Sequence, residues 1–220
     1  MHWRVHRKSR ALPRTPVAGI QGTAASMPDC WRRNAYPAWA DARIRPASAR
    51  VMASPASLTH RYRPRGTAVS LFEDRSPEVL MGGPAGTGKS RACLEKLHML
   101  ALMNPGMRGL IVRKTLVSLG ATALATWRKF VIPEAVAAGI VHYYGGSQEE
   151  PPQYRYGNGS AIHIGGMDKP VKIMSSEYDV IYVQEAIEFT ETDWESATTR
   201  LRNWQMSFQQ ILADTNPAEP

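Results

Sequence analysis

The sequence has 220 residues, enough for one α/β domain with a substantial core, or one domain plus an appendage. Hydrophobic residues make up 43% and charged ones 21%, which excludes wholesale disorder. The formal charge of +8 is unevenly spread: residues 1–66 carry 13 Lys and Arg against Asp29 and Asp41, a net of +11, so residues 67–220 carry a net of −3. Cys30 and Cys93 stand far apart, which excludes a disulfide framework and gives no zinc motif. His2, His6, His60, His98, His142 and His163 are scattered and form no ligand set. No window approaches 18 consecutive apolar residues, and no apolar h-region follows the basic start. The chain is therefore expected to be soluble and intracellular.

Residues 1–58 read as a basic extension of low order, rich in Arg, Pro, Ala and Ser with no sustained apolar period. Two readings compete: a basic arm that binds nucleic acid, or an upstream extension of a gene whose start is Met27 or Met52. Residues 59–220 read as one domain. Glu78–Met81 is a short apolar run ending in Gly82-Gly83, a buried strand entering a tight turn. From Lys89 to about Met103, Cys93, Leu94, Leu97, Leu100 and Ala101 fall at helical spacing, and Asn104-Pro105-Gly106 stops the helix. Gly109–Val112 is the next buried strand. Leu116 to about Ala138 reads as a helix, broken around Gly120 or Pro133. Tyr154–Tyr156 and Ala161–Ile164 flank Gly157-Asn158-Gly159 as an antiparallel hairpin. Val180–Val183 is a third buried strand, Trp194–Leu201 a helix, and Gln210–Ala213 a last strand ending in Asp214-Thr215-Asn216-Pro217. Strands alternating with helices indicate a largely parallel sheet with helices on its faces.

Gly83-Pro84-Ala85-Gly86-Thr87-Gly88-Lys89-Ser90 matches G-x-x-x-x-G-K-[ST] in full. The glycines let the backbone turn with its N–H groups facing inward, and the small side chains admit phosphates. Lys89 brings a point charge to the β- and γ-phosphates, and the Ser90 hydroxyl can ligate Mg²⁺. The following helix adds its positive N-terminus. Coincidence would produce the pattern in roughly one chain of this length in a hundred. An apolar strand before the loop and an amphipathic helix after it decide for nucleoside triphosphate binding.

A second element is Tyr178-Asp-Val-Ile-Tyr-Val-Gln184-Glu185, in which four apolar residues deliver a polar pair to a strand end. Open α/β sheets place their ligand chemistry there. Glu185 could polarise a water for in-line attack on a γ-phosphate, or be a strand-end carboxylate facing solvent.

With these elements in place, the sequence from about Tyr62 onward resembles the large terminase subunit of tailed bacteriophages, the ATPase that packages DNA into proheads. The resemblance is carried by Tyr62-Arg-Pro-Arg-Gly66, the loop Gly82–Ser90, Val112-Arg-Lys-Thr115 with Ser118, and Lys172–Glu177. It continues through the Glu185 strand, Arg200-Leu-Arg202 and Thr215-Asn-Pro217. It implies a three-layer αβα P-loop NTPase with a mainly parallel sheet, of the additional-strand, catalytic-glutamate type. It also implies that Glu185 is catalytic with Lys89, that Thr215 and Asn216 form a coupling motif, and that Tyr62 and Arg65 lie near the adenine. ATP and Mg²⁺ are the implied cofactors. Double-stranded DNA, a small terminase subunit and the portal of the prohead are the implied partners of a homo-oligomeric ring, in the cytoplasm of an infected bacterium.

Three departures stand out. Gln184 occupies the place where many P-loop ATPases have a metal-holding aspartate; its amide oxygen can accept from metal-bound water but brings no charge. Ala85 stands where some terminases carry an arginine, which leaves Arg113, Arg200 and Arg202, with Lys172 as a substitute, as sources of positive charge, although each reads more readily as an ordinary helix- or strand-end charge. The chain stops at Pro220, before the nuclease domain of the family, as a truncated or split gene would. Rival readings are a helicase-like DNA motor, a nucleotide-binding assembly module left idle by Gln184, and a basic nucleic-acid-binding protein resting on the N-terminal arm.

Overall fold

The computed structural model describes Val5–His6 and residues 60–216. The expectations for an N-terminal extension and for starts at Met27 or Met52 otherwise lie outside the described residues. Strand β1 (Val5–His6) adds a two-residue antiparallel edge to β2 (Glu78–Gly82). The remaining strands are β3 (Arg108–Arg113), β4 (Val141–Tyr144), β5 (Gln153–Tyr156), β6 (Ala161–Gly166), β7 (Val180–Val183) and β8 (Gln210–Thr215). They form one sheet in the order β1-β2-β8-β7-β3-β6-β5-β4. The five central strands, β2, β8, β7, β3 and β6, are mutually parallel, and β5 and β4 continue antiparallel. The expected hairpin is β5–β6.

Side chains along the parallel strands alternate between two buried layers, as a period of two requires. Ile111, Tyr182 and Leu212 join the layer under α2 (Lys89–Met103), with Cys93, Leu94 and Leu97. Leu110, Val112, Ile181, Val183, Ile211 and Ala213 join the opposite layer, with Ile173 of α6 (Pro170–Met174) and Ala197 of α7 (Glu191–Thr198). Helices on both faces of the sheet make the three-layer αβα architecture that the sequence implied. Strand β8 lies between β2 and β7, so the last strand of the domain separates the strand before the glycine-rich loop from the one that ends at Glu185. Among the described residues no helix is long and apolar enough to cross a membrane.

Local chemistry shifts some boundaries. Gly120 lies inside α3 (Leu116–Ala121), and the break comes at Thr122, where φ and ψ are −118° and −89°. The Thr122 hydroxyl shares its proton between Ser118 O and Gln184 Oε1, each 2.7 Å away, which pulls this residue toward the sheet. After α4 (Ala123–Thr126) and a wide π-turn over Trp127–Val131, Pro133 opens α5 (Pro133–Ala137) at a position where its missing N–H costs nothing. Helix α7 starts three residues before Trp194. A capping box between Thr190 and Asp193 fixes its first turn, and Leu201 leaves the helix to bridge with Tyr178. Helix α1 (Thr67–Glu73) precedes β2; the buried Lys96 of α2 holds its end, donating to Leu71 O and Asp74 O at 2.9 and 2.6 Å.

Candidate active site

Because the central strands are parallel, their carboxyl ends converge on one edge. This edge collects the turn after Gly82, the end of β7 at Gln184 and Glu185, and the end of β8 at Asp214, Thr215 and Asn216. The glycine-rich loop turns through Gly86 and Gly88 at φ +76° and +86°, where a Cβ would be strained although no atom lies within 4 Å of it. Lys89 follows as the first residue of α2. Its ammonium folds back over the loop, donating to Gly83 O at 2.6 Å, Pro84 O at 2.7 Å and Asn216 Oδ1 at 2.9 Å. For Lys89 to reach a phosphate it must exchange these three acceptors for phosphate oxygens.

Asn216 uses the other half of its amide on Glu185. Its Nδ2 donates to Glu185 Oε1 at 3.0 Å, and its backbone N–H reaches Glu185 Oε2 at 3.3 Å. The loop lysine, Asn216 and the candidate catalytic glutamate are therefore one hydrogen-bonded chain, drawn from α2, the end of β8 and the end of β7. Glu185 sits in the left-handed region at φ 53°, ψ 64°, a conformation that costs a non-glycine residue about 1 kcal/mol or more.

Ser90 faces a residue to which the sequence reading gave no role. Its hydroxyl donates a short hydrogen bond to Asp214 Oδ2, and Asp214 Oδ1 accepts from the Glu185 backbone N–H at 3.1 Å. Asp214 is 1% exposed, and burial pushes its carboxyl up while the Ser90 hydroxyl and the Glu185 N–H pull it back. Gln184, expected beside the metal, is turned elsewhere: its Oε1 accepts from the Thr122 hydroxyl and from Ala123 N at 3.3 Å. The signal for Asp214 was its place at the end of the last strand, ahead of Thr215. Its weight depended on β8 lying next to β2, which sequence order does not give.

The other candidates spread out. Tyr62 stacks on Phe72 with centroids 5.8 Å apart and lies under the Arg91 guanidinium at 5.3 Å. Burial and Glu95 raise its hydroxyl. Arg65 lines a water-sized cleft of about 30 Å³ beside the loop, with Thr67, Met81, Gly88 and Lys89. Arg65 thus borders the loop, while Tyr62 packs against Arg91 in the first turn of α2. Arg113 stands at the same sheet edge but is clamped by Glu188, at 3.0 Å from Nε and 2.6 Å from Nη2, which raises the guanidinium and lowers the carboxyl. Arg200 and Arg202 flank Leu201, which bridges Tyr178 before the start of β7. That is the amino end of the sheet, roughly 20 Å of strand away from Glu185. Arg202 pairs there with Glu177 at 2.9 Å. Neither arginine reaches its own chain's loop.

A family model described as phage terminase large subunit matches residues 75–220. No curated protein matches the chain. Among solved structures it is similar to the large terminase ATPase domain of Thermus phage P74-26, at TM-score 0.55 and 15% identity over 72% of this chain and 67% of that one. It is also similar to the large terminase of another thermophilic bacteriophage, at TM-score 0.50 and 13% identity over 69% of this chain. It spans 38% of that second protein. At these identities the structural likeness concerns the fold.

Proposed function

The chain belongs to the phage terminase large subunit family, and on that premise we propose that it is the ATP-hydrolysing motor part of such a subunit, driving double-stranded viral DNA into a prohead. The observation that carries this reading is the continuous chain Lys89–Asn216–Glu185 at the carboxyl edge of the parallel sheet. It joins a phosphate-binding cation, a coupling residue and a water-orienting carboxylate in one network.

In this mechanism the N–H groups around Gly86–Lys89 and the positive end of α2 cradle the phosphates. Lys89 leaves the Gly83 and Pro84 carbonyls for the β- and γ-oxygens. Glu185 orients the attacking water and accepts its proton, and the reaction proceeds by positioning and charge stabilisation. Asn216 touches both Lys89 and Glu185, so movement of Lys89 onto a phosphate reaches the end of β8 directly. That is how a coupling residue can pass the state of the nucleotide to the rest of the domain.

The residues fit a magnesium ion: the Ser90 hydroxyl and the buried carboxylate beside it are hard oxygen donors, the set this ion prefers. Ser90 and the phosphates would hold it, and the ion would neutralise charge developing on the transferred phosphoryl group. Tyr62 and Arg65 would lie near the adenine. A small terminase subunit, the portal and a homo-oligomeric ring in the host cytoplasm complete the proposal.

The test is phosphate release by the full chain with and without double-stranded DNA. Lys89→Ala and Glu185→Ala should each lower turnover by about a hundredfold or more. Lys89→Ala should also weaken ATP binding, whereas Glu185→Ala should leave it within a few-fold. Turnover that survives Glu185→Ala would refute the catalytic assignment, and strand separation without packaging would favour a helicase-like motor.

A further inference from the structure

We propose that Asp214, and not Gln184, supplies the carboxylate that serves the magnesium ion of the bound nucleotide. The inference rests on the nucleotide reading above and assigns a part of that site which the glutamine had left open. A magnesium ion on ATP keeps several waters, and needs hydrogen-bond acceptors and negative charge around them. The residue before the catalytic glutamate ordinarily provides both, and here it is a neutral amide.

Three observations move that role one strand over. The first is position: β8 lies directly between β2 and β7, so its carboxyl end faces both the loop and Glu185. The second is bonding. Asp214 Oδ2 accepts from the Ser90 hydroxyl, which orients that proton away from the phosphate side and leaves an oxygen lone pair for a cation. Asp214 Oδ1 accepts from the Glu185 N–H, which locks the carboxylate to the residue that orients the attacking water. The third is charge. Asp214 is buried, and among the described residues no Lys, Arg or His forms an ion pair with it; the Ser90 and Tyr182 hydroxyls and the Glu185 amide surround it, and the Arg113 guanidinium acts on it only through space. A buried carboxylate whose hydrogen-bond partners are all neutral is costly, and a divalent cation beside Ser90 would offset that cost. Gln184 is meanwhile committed to Thr122 and Ala123, where it ties the end of β7 to the start of α4.

The experiment measures binding of ATPγS to the full chain by calorimetry, with and without Mg²⁺, so that the affinity gained from the metal is read apart from turnover. Asp214→Asn should lower that gain by about tenfold to a hundredfold, while metal-free ATPγS affinity holds or rises because a negative charge near the phosphates is gone. A second measurement needs no variant: pulsed EPR of Mn²⁺-ATPγS on wild-type protein carrying ¹³C-carboxyl aspartate should show a weak carbon coupling. An undiminished gain in Asp214→Asn, a gain lost in Gln184→Ala instead, or no aspartate coupling would overturn the assignment. Wild-type protein that fails to bind ATPγS at all would overturn the nucleotide reading and this inference with it.

Discussion

Asn216 shows how much a single side chain can be asked to do at this site. Its amide gives its oxygen to the Lys89 ammonium and its nitrogen to the Glu185 carboxylate, at 2.9 and 3.0 Å. Both bonds involve a charged partner, the class worth about 1.5–3 kcal/mol. Asn216→Ala removes them together and frees Glu185 to turn out of its left-handed conformation. Turnover should fall by roughly tenfold to a hundredfold, with KM for ATP changed much less, because the phosphate cradle is intact. Steady-state phosphate release over a range of ATP concentrations checks the split; an equal rise in KM would show that Asn216 binds rather than orients. At this scale the sequence disclosed the members but not the partnerships. The loop was legible because its glycines and Lys89 are obligatory at fixed spacing. Gln184 was misleading, since adjacency to Glu185 says nothing about which way an amide turns, and Thr122 turned it. Asp214 stood in plain view but acquires its meaning from a strand order that crosses more than a hundred residues of sequence.

Elements at the other end of the sheet depend on one buried acid. Asp179, fully buried ahead of β7, accepts from Arg108 N at 3.0 Å, Asn203 Nδ2 at 2.5 Å and Gln205 N at 2.9 Å, and from Gln209 Nε2 at 3.1 Å. It ties the start of β3 to the 203–209 segment that feeds β8, so the register of the three central strands is set from below. Asp179→Ala leaves several buried donors without an acceptor and should destabilise the domain by about 3 kcal/mol or more, seen as a lower urea midpoint. ATP affinity at the opposite edge should fall only as folding does. The elements themselves were legible in proportion to their burial. Val180–Val183 is buried at every residue and reads as a continuous apolar run. Strand β4 buries only Val141, so Val-His-Tyr-Tyr carries no alternation to find. The start of α7 is written in Thr190 and Asp193 rather than in its apolar residues, which is why periodicity alone put it three residues late.

The whole molecule should be sensitive to acid through two buried histidines. His98 is packed against Trp127 and bonded to the Tyr156 hydroxyl, and burial, aided by nearby His60 and opposed by Glu134, lowers it to about 4. His163 contacts Tyr178, and burial with Arg108 and Arg155 lowers it to about 4 as well. In the unfolded chain both protonate near pH 6.5. Between pH 6.5 and 4 the unfolded state therefore binds protons that the folded state refuses, and stability falls as pH falls. Each histidine accounts for roughly 3 kcal/mol by the end of that window, a large share of the 5–15 kcal/mol typical of a domain. The raised carboxyl of Asp214 runs the other way and makes the slope shallower. Urea midpoints at pH 7, 5.5 and 4.5 should drop steadily, and His98→Gln with His163→Gln should flatten the drop even where it lowers the midpoint at pH 7.

Charge is divided unevenly along the sequence, and that division makes any grip on DNA testable apart from the chemistry. The hydrogen-bonded residues of the site, Lys89, Ser90, Glu185, Asp214 and Asn216, lie within 67–220, a stretch of net charge −3, while the first 66 residues carry +11 and contribute only Tyr62 and Arg65 as candidates. Salt-dependent DNA affinity follows the number of phosphates neutralised, at a slope of about −0.9 for each contact. Six arginines of the basic stretch, Arg14, Arg32, Arg33, Arg43, Arg45 and Arg50, can be changed to Gln together without altering a residue of the 59–220 domain. If they grip the duplex, the slope of log affinity against log salt should become shallower by about five. ATP hydrolysis without DNA should stay within twofold of the parent. Filter binding of duplex DNA between 50 and 200 mM salt, about the range over which such contacts lose most of their affinity, measures this directly. An unchanged slope would place the grip elsewhere, on the basic residues left in the first 66, such as Arg4, Arg7, Lys8 and Arg10, or in local basic patches of the 67–220 stretch.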